Sequence, residues 1–208
     1  MKKTNKRILY TITFLLLVVM GFVVFFNRAP ERETPQGNTV VSPANGKIIG
    51  IETATGSEFS FLKKGYKNSI SLENMESPYK VILIEMNLKN VHVQRAPIDG
   101  EIIYQEHFDG AHKNALSKKN NSNLININEK NIVIIKNDDI SVGIVQVAGA
   151  AARRIQSFVL ENNILSKGSI YGRILLGSQV VLILPDTINV LVHEGDVLID
   201  GETIVAEY

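Results

Sequence analysis

The sequence predicts a mainly β domain with one or two short helices, an α+β class, carried behind an N-terminal membrane helix. Three observations predict it. Residues 8–26, ILYTITFLLLVVMGFVVFF, contain no charge. From Val40 onward, short runs rich in β-branched residues alternate with turn signals built on Gly, Pro, Asn and Asp. One later segment, Ala148–Leu160, instead places Ala, Arg and apolar residues at helical spacing.

Residues 1–26 divide into a basic tip and an anchor. Lys2, Lys3, Lys6 and Arg7 precede the apolar run, whose 19 residues reach about 28 Å as a helix, close to the hydrocarbon thickness of a bilayer. A cleaved signal peptide is the competing reading. It needs a shorter apolar core and a small-residue cleavage site, whereas this run ends in Val-Phe-Phe-Asn-Arg. Four Lys/Arg before the run, against Arg28 and Arg32 after it, favour a cytoplasmic N-terminus; a shallow insertion would leave both flanks on one side. Residues 27–39, with two prolines, a glycine and several charges, read as a linker, which leaves 40–208 as the folded domain.

Within that domain Val40–Val41, Lys47–Glu52 and Val81–Met86 are expected strands. Ser42-Pro43-Ala44-Asn45-Gly46, Ser77-Pro78 and Ala96-Pro97-Ile98-Asp99-Gly100 are the turns around them. Residues 109–123, DGAHKNALSKKNNSN, are polar and read as a loop. Strands resume at Ile132–Lys136 and Val142–Ala148, and a β run over Ser178–Leu184 ends at Pro185. Val190–His193, Val197–Ile199 and Thr203–Ala206 follow, joined by Glu194-Gly195-Asp196 and Asp200-Gly201. The repeated design of short strand, Gly-centred turn and short strand resembles the barrel-sandwich hybrids of lipoyl and biotinyl carrier domains. The lysine that such carriers modify is missing from the corresponding hairpin.

Composition narrows the function. The formal net charge is +1, and because the first seven residues hold +4, the remainder carries −3. A broad basic footprint does not fit that balance, so no nucleic-acid partner is expected. The absence of cysteine excludes thiolate nucleophiles, disulfides and Cys-ligated metal sites. There is no G-x-S-x-G elbow and no G-x-x-x-x-G-K phosphate loop. His107, Asp109 and His112 match no helical metal-ligand spacing and sit in a polar stretch, so no metal site is expected. The segment Tyr171–Val180 sets two glycines around a short apolar run and opens a β run with Gly177-Ser178. On composition it reads as a turn followed by an edge strand.

Seven stretches carry a family resemblance, and they stand in one order along the chain. They are Phe25-Phe26-Asn27-Arg28-Ala29-Pro30-Glu31-Arg32, then Ser42-Pro43-Ala44-Asn45-Gly46, then Asn90-Val91-His92-Val93-Gln94-Arg95-Ala96-Pro97. Asn128-Glu129-Lys130-Asn131, Val145-Gln146-Val147-Ala148-Gly149 and Ala152-Arg153-Arg154-Ile155 follow, and Gly172-Arg173 through Gly177-Ser178 to Leu184-Pro185 comes last. Together they resemble the F-F-R-D-P-x-R, S-P-A-D-G, D-V-H-V-N-R-A-P, N-E-R-N, V-Q-I-A-G, A-R-R-I and G-x-I-x-x-G-S-x-V-D-x-x-L-P stretches of short-form phosphatidylserine decarboxylase proenzymes, including their archaetidylserine relatives. Aspartates of that pattern are replaced by Ala29, Asn45 and Asn90.

The resemblance implies that the Gly177–Ser178 bond cleaves itself, giving a β chain, 1–177, and an α chain, 178–208. Ser178 would become a pyruvoyl group that forms a Schiff base with the substrate, replacing pyridoxal phosphate and needing no metal. His92 is implied as the residue that moves the proton, with Asn45 and Asn90 standing where an aspartate would tune it. Arg95, Arg153 and Arg154 are implied as the cations for the lipid phosphate or carboxylate. The substrate implied is phosphatidylserine and the products are phosphatidylethanolamine and CO₂. The implied partners are membrane lipid and the chain's own two halves, with a homo-oligomer left open. The implied place is the cell membrane, with the domain on the cytoplasmic face. The two asparagines keep other readings open: an uncleaved, inactive relative that binds anionic lipid, or a membrane-tethered lipoyl-like adaptor.

Overall fold

An uncharged run in lipid has no partner for its backbone but itself, and a helix satisfies every N–H and C=O within the segment. In the computed structural model, which describes residues 2–63, 66–110, 128–149, 155–175 and 178–208, that run lies within α1 (Lys2–Phe26). Lys6–Phe26 has a mean hydropathy of 2.7, long and apolar enough to cross a membrane. Side chains from Lys6 to Phe25 are exposed, and Phe26 alone is buried, at 6 % exposure.

Among the described residues, everything regular after α1 is β. The strands are β1 (Thr39–Val41), β2 (Gly46–Ala54), β3 (Glu58–Lys63), β4 (Tyr66–Ser71), β5 (Tyr79–Glu85), β6 (Val93–Arg95), β7 (Gly100–Phe108) and β8 (Lys130–Lys136). They continue with β9 (Ser141–Val147), β10 (Ile155–Ser157), β11 (Ile164–Leu165), β12 (Ile170–Ile174), β13 (Gln179–Pro185), β14 (Asn189–Val190), β15 (Val197–Leu198) and β16 (Ile204–Glu207). Eight of them form one antiparallel, curled sheet in the order β11-β7-β8-β9-β13-β5-β2-β15. Smaller sheets, β1-β16-β14 and β10-β12-β6, and the β3-β4 hairpin complete the domain.

Alternation along the central strands explains the layers. Successive side chains of a strand point to opposite faces. Val180, Leu182 and Leu184 of β13 join one apolar cluster with Ile82, Ile84, Ile144 and Tyr171, while Val181 and Ile183 join a second with Phe59, Phe61 and Ile70 of the hairpin. The main sheet is therefore covered on both faces, which is why β13 reads as an unbroken apolar run rather than an alternating one. Gly46 shows how close the packing is: a Cβ there would stand 2.6 Å from the Glu85 carbonyl oxygen, so the S-P-A-N-G turn must end in glycine.

The mainly β domain behind an N-terminal apolar helix is as expected, and two local readings need correction. The run after Gly177 is not an edge strand, because β13 lies between β9 and β5. Ala148–Leu160 is not a helix where described: 155–157 form β10, paired with β12, and 150–154 lie outside the described residues. The segment 27–39, read as a linker, hydrogen-bonds to the domain through Arg173 to Asn27, Arg95 to Pro30 and Arg32 to Asp200. Of the expected loop 109–123, residues 111–123 lie outside the described residues. The β3-β4 hairpin, β6, β7 and β12 were not anticipated, although Phe59-Ser60-Phe61 carries the two-residue alternation of a strand covered on one side.

Candidate active site

His92 hangs from a turn between β5 and β6 that its neighbours' amides build. The Asn87 N–H donates to Asn90 Oδ1 at 2.7 Å, and the Lys89 N–H donates to Asn87 Oδ1 at 2.9 Å. This side-chain-to-backbone pattern is what asparagine contributes to turns. It aims the Asn90 carbonyl at His92 Nδ1, 2.9 Å away. A carbonyl only accepts, so Nδ1 carries the proton and Nε2 keeps the lone pair. The ring is 1 % exposed, and Nε2 has no hydrogen-bond partner among the described residues.

Burial lowers the His92 pKa below the ordinary 6.5; the Asn90 hydrogen bond opposes that shift and the Arg28 charge adds to it. The imidazole is therefore neutral at neutral pH, with one free basic nitrogen. The sign for stability follows. A histidine depressed in the folded state contributes stability that is whole above its unfolded pKa and is lost as pH falls through the folded one. Stability should thus fall as pH drops below 6.5. His92→Gln should flatten that part of the curve, as read from urea midpoints against pH. A slope unchanged by the substitution would refute the assignment.

Ser178 stands at the head of β13, 2 % exposed. Its carbonyl accepts from the Met86 N–H at 3.1 Å, which extends the β13-β5 ladder one residue past Gln179↔Glu85. Strand alternation puts its side chain on the face of Val180 and Leu182. Its Oγ, like His92 Nε2, is buried without a hydrogen-bond partner among the described residues.

Backbone and amide contacts join the two residues. The Ile174 N–H donates to the His92 carbonyl at 3.0 Å. Ser178 is four residues further on, which bounds the Cα separation of 174 and 178 at about 14 Å. Gln94 Nε2 also donates to the His92 carbonyl, at 3.0 Å, and lies 3.9 Å from Met86 Sδ. Gln94 Oε1 accepts from Gln146 Nε2 at 2.8 Å, and Gln146 Oε1 accepts from Asn131 Nδ2 at 2.8 Å. All three amides are fully buried, so this chain of mutually satisfied groups fixes β6 against β9 and β8.

The other expected site residues are placed differently. Asn45 Oδ1 accepts from the Asp200 N–H at 3.0 Å, and the Asn90 side chain belongs to its own turn. Among the described residues neither side chain hydrogen-bonds the imidazole; the Asn90 backbone does. Arg95 is 7 % exposed, and its guanidinium donates inward to Asp200 Oδ2 (2.7 Å), the Gly168 carbonyl (2.7 Å) and the Pro30 carbonyl (2.6 Å). Arg153, Arg154 and Gly177 lie outside the described residues. His107 Nε2 lies 3.3 Å from Glu129 Oε1 and 3.8 Å from Asp109 Oδ1.

Several residues at the site escape a reading of the sequence. Gln94 and Gln146 leave a trace, as lone amides inside V-Q-R and V-Q-V strand stretches. Phe26 leaves only its place in the first motif stretch, where it reads as the end of the apolar run, yet its ring centroid lies 4.3 Å from that of His92, with the rings tilted by 32°. The Asn90 turn gives a further expectation. Asn90→Ala removes the acceptor for the Asn87 N–H and should cost about 1 kcal/mol and slow turnover severalfold, whereas Asn90→Asp keeps that acceptor. Thermal melts and rates of both variants check this, and equal behaviour would count against the turn's role.

Comparison with known proteins finds relatives along nearly the whole chain. The family model described as phosphatidylserine decarboxylase matches residues 19–206. A protein of Methanocaldococcus jannaschii, provisionally named an archaetidylserine decarboxylase proenzyme, is 37 % identical over 99 % of this chain and 97 % of its own length. One of Methanothermobacter thermautotrophicus with the same provisional name is 35 % identical over 96 % of this chain and 86 % of its own. A phosphatidylserine decarboxylase proenzyme of Azorhizobium caulinodans is 38 % identical over 94 % of this chain and 79 % of its own. The chain belongs to the phosphatidylserine decarboxylase family.

Proposed function

We propose that this chain is a proenzyme that opens its own backbone between Gly177 and Ser178 and then removes CO₂ from the serine headgroup of phosphatidylserine. One observation carries the reading: Ser178 Oγ and His92 Nε2 are both buried without protein partners, on segments linked by backbone hydrogen bonds. An unsatisfied buried polar group costs about 1–3 kcal/mol. Two such groups on hydrogen-bonded segments fit a site that uses them, and they speak against an inactive relative or an adaptor.

In this reading His92 Nε2 takes the Ser178 hydroxyl proton as Oγ attacks the Gly177 carbonyl carbon. The peptide C–N bond breaks, an ester forms, and the proton passes to the freed amine. Elimination then removes the Ser178 α-proton and breaks the Cβ–Oγ bond, leaving Gly177 as a carboxylate. Water hydrolyses the new α-chain terminus and releases ammonia. A carbonyl made from Ser178 fits its surroundings, because that position is shielded from water on the core face of β13. Once formed, the pyruvoyl group supplies the electron sink for decarboxylation. His92 holds and returns the proton that the headgroup carbon needs after CO₂ leaves.

Arg95 serves here as a strut rather than a lipid contact, and Arg153 and Arg154 remain the proposed cations for the headgroup phosphate or carboxylate. The helix keeps the enzyme where its substrate lies. We place the domain on the cytoplasmic face, with α1 inserted from that side. Protection from external protease in intact cells checks this, and digestion there would overturn it.

The intact mass of the protein purified in detergent tests the main reading. Two chains split at 177/178, the smaller blocked by pyruvoyl, support it. A single 23.0 kDa chain after long incubation overturns it. Vesicles of diacyl phosphatidylserine and of archaetidylserine, assayed side by side for CO₂ release, distinguish the lipid backbones.

A further inference from the structure

We propose that the last turn of α1 is a wall of the active site, in which Phe26 positions His92 by packing against its imidazole, so that the seating of the helix sets the acid–base step. This rests on the proton-moving role proposed for His92. The burial pattern is the first observation. From Lys6 to Phe25 the helix presents exposed side chains, and Phe26 alone turns inward to the catalytic domain. Its ring meets His92 at 4.3 Å, and Phe22 backs it at 5.9 Å.

The second observation is how firmly the helix end is held. Asn27 caps it, with its backbone N–H and Nδ2 both donating to the Val23 carbonyl at 3.0 and 2.8 Å. Arg28 Nη1 donates to the Phe25 carbonyl at 2.7 Å, and its Nη2 donates to the Lys89 carbonyl on the turn that carries His92. Arg173 on β12 donates to Asn27 Oδ1 at 2.7 Å, and its strand register places it opposite Val93, the neighbour of His92. The helix end is thus tied to both segments that flank the imidazole. With Nδ1 fixed by the Asn90 carbonyl and one ring face covered by Phe26, the Nε2 edge is left for chemistry. Among the described residues, the charged groups on the elements beside His92 are Arg28 after the helix, Lys89 on the same turn and Arg173 on β12. Of these, Arg28 is the one whose charge reaches it.

The full chain in phosphatidylserine-containing nanodiscs provides the test, with Phe26→Ala, Phe26→Leu and the control Val24→Ala, a residue 67 % exposed on the helix. Phe26→Ala should lower kcat about tenfold, with KM changed less than about twofold, because a misplaced group costs rate more than binding. The acid limb of its pH profile should move up by about half a unit as water reaches the ring. Phe26→Leu should recover most of the rate, and Val24→Ala should match the parent. A Phe26→Ala enzyme that is fully cleaved and has the parent's profile overturns the proposal. Should that variant fail to mature, the His92 ring titration by NMR in an uncleaved Ser178→Ala background, with and without Phe26, gives the answer. An unchanged titration overturns the proposal, and an upward shift supports it. A parent that never cleaves refutes the decarboxylase reading instead, and the same titration still tests the contact.

Discussion

Ser178→Ala is expected to leave one 23.0 kDa chain that releases no CO₂ at any incubation time. In the proposed reaction the hydroxyl is the nucleophile for backbone cleavage and then, as the ester oxygen, the leaving group of the elimination, so nothing else in the site replaces it. The substitution is also clean. Ser178 contributes to the fold through its backbone, as acceptor for the Met86 N–H, while its buried Oγ has no protein partner. Removing an unsatisfied buried hydroxyl should leave stability unchanged or raise it by about 1 kcal/mol. Loss of activity with an equal or higher melting temperature therefore separates chemistry from misfolding. Cleavage or CO₂ release surviving in this variant would end the pyruvoyl assignment.

His92→Ala should behave differently, maturing slowly and turning over at least a hundredfold more slowly, since general acid–base groups supply about 10²–10⁴ in rate. His92→Ala cannot hold the proton on Nδ1 or offer Nε2. The lowered pKa of the parent histidine predicts that activity rises through a pH below 6.5 and stays level above it on the His92 limb. A variant with the parent's rate and profile would remove His92 from the mechanism.

How far the sequence reveals this depends on the range of the interaction. Local patterns were legible: the apolar run of α1, the strands over residues 81–85 and 132–136, and the β run that follows Ser178. What failed was pairing across the chain. The motif arginine Arg95 looks like a free cation in sequence, but its carboxylate partner lies 105 residues away. Gln94 and Gln146, 52 residues apart, announce a buried polar group without saying that they satisfy each other. The missing aspartates suggested an untuned histidine, yet the backbone carbonyl of Asn90 orients the ring, a role any residue supplies once the turn holds. Segment 155–157 lost its helical reading because β12 offered it a ladder, and tertiary pairing outweighs weak local propensity.

Asp200→Ala is expected to be the most destabilising single change in the domain, by about 3–5 kcal/mol. The carboxylate is fully buried, with Oδ1 2.6 Å from Arg32 and Oδ2 2.7 Å from Arg95, and its own N–H reaches Asn45. It therefore gathers the segment leaving the helix, the S-P-A-N-G turn, β6 and the turn between β15 and β16 at one point. The intact cluster need add little net stability, because desolvating its charges offsets their attraction. Removing only the carboxylate leaves two guanidinium groups facing each other in a buried place. At about 2–4 °C per kcal/mol for a chain of this size, the melting temperature should fall by roughly 10 °C. Asp200→Asn, which keeps the shape and part of the hydrogen bonding, should lose about half as much. The cluster also crosses the proposed cleavage: Asp200 belongs to 178–208, and Arg32, Asn45 and Arg95 belong to 1–177. In the matured protein Asp200→Ala should therefore let the small chain dissociate in mild urea that leaves the parent complex whole, as size exclusion would show. A melting temperature within about 2 °C of the parent would mean that this buried cluster does not hold the halves together.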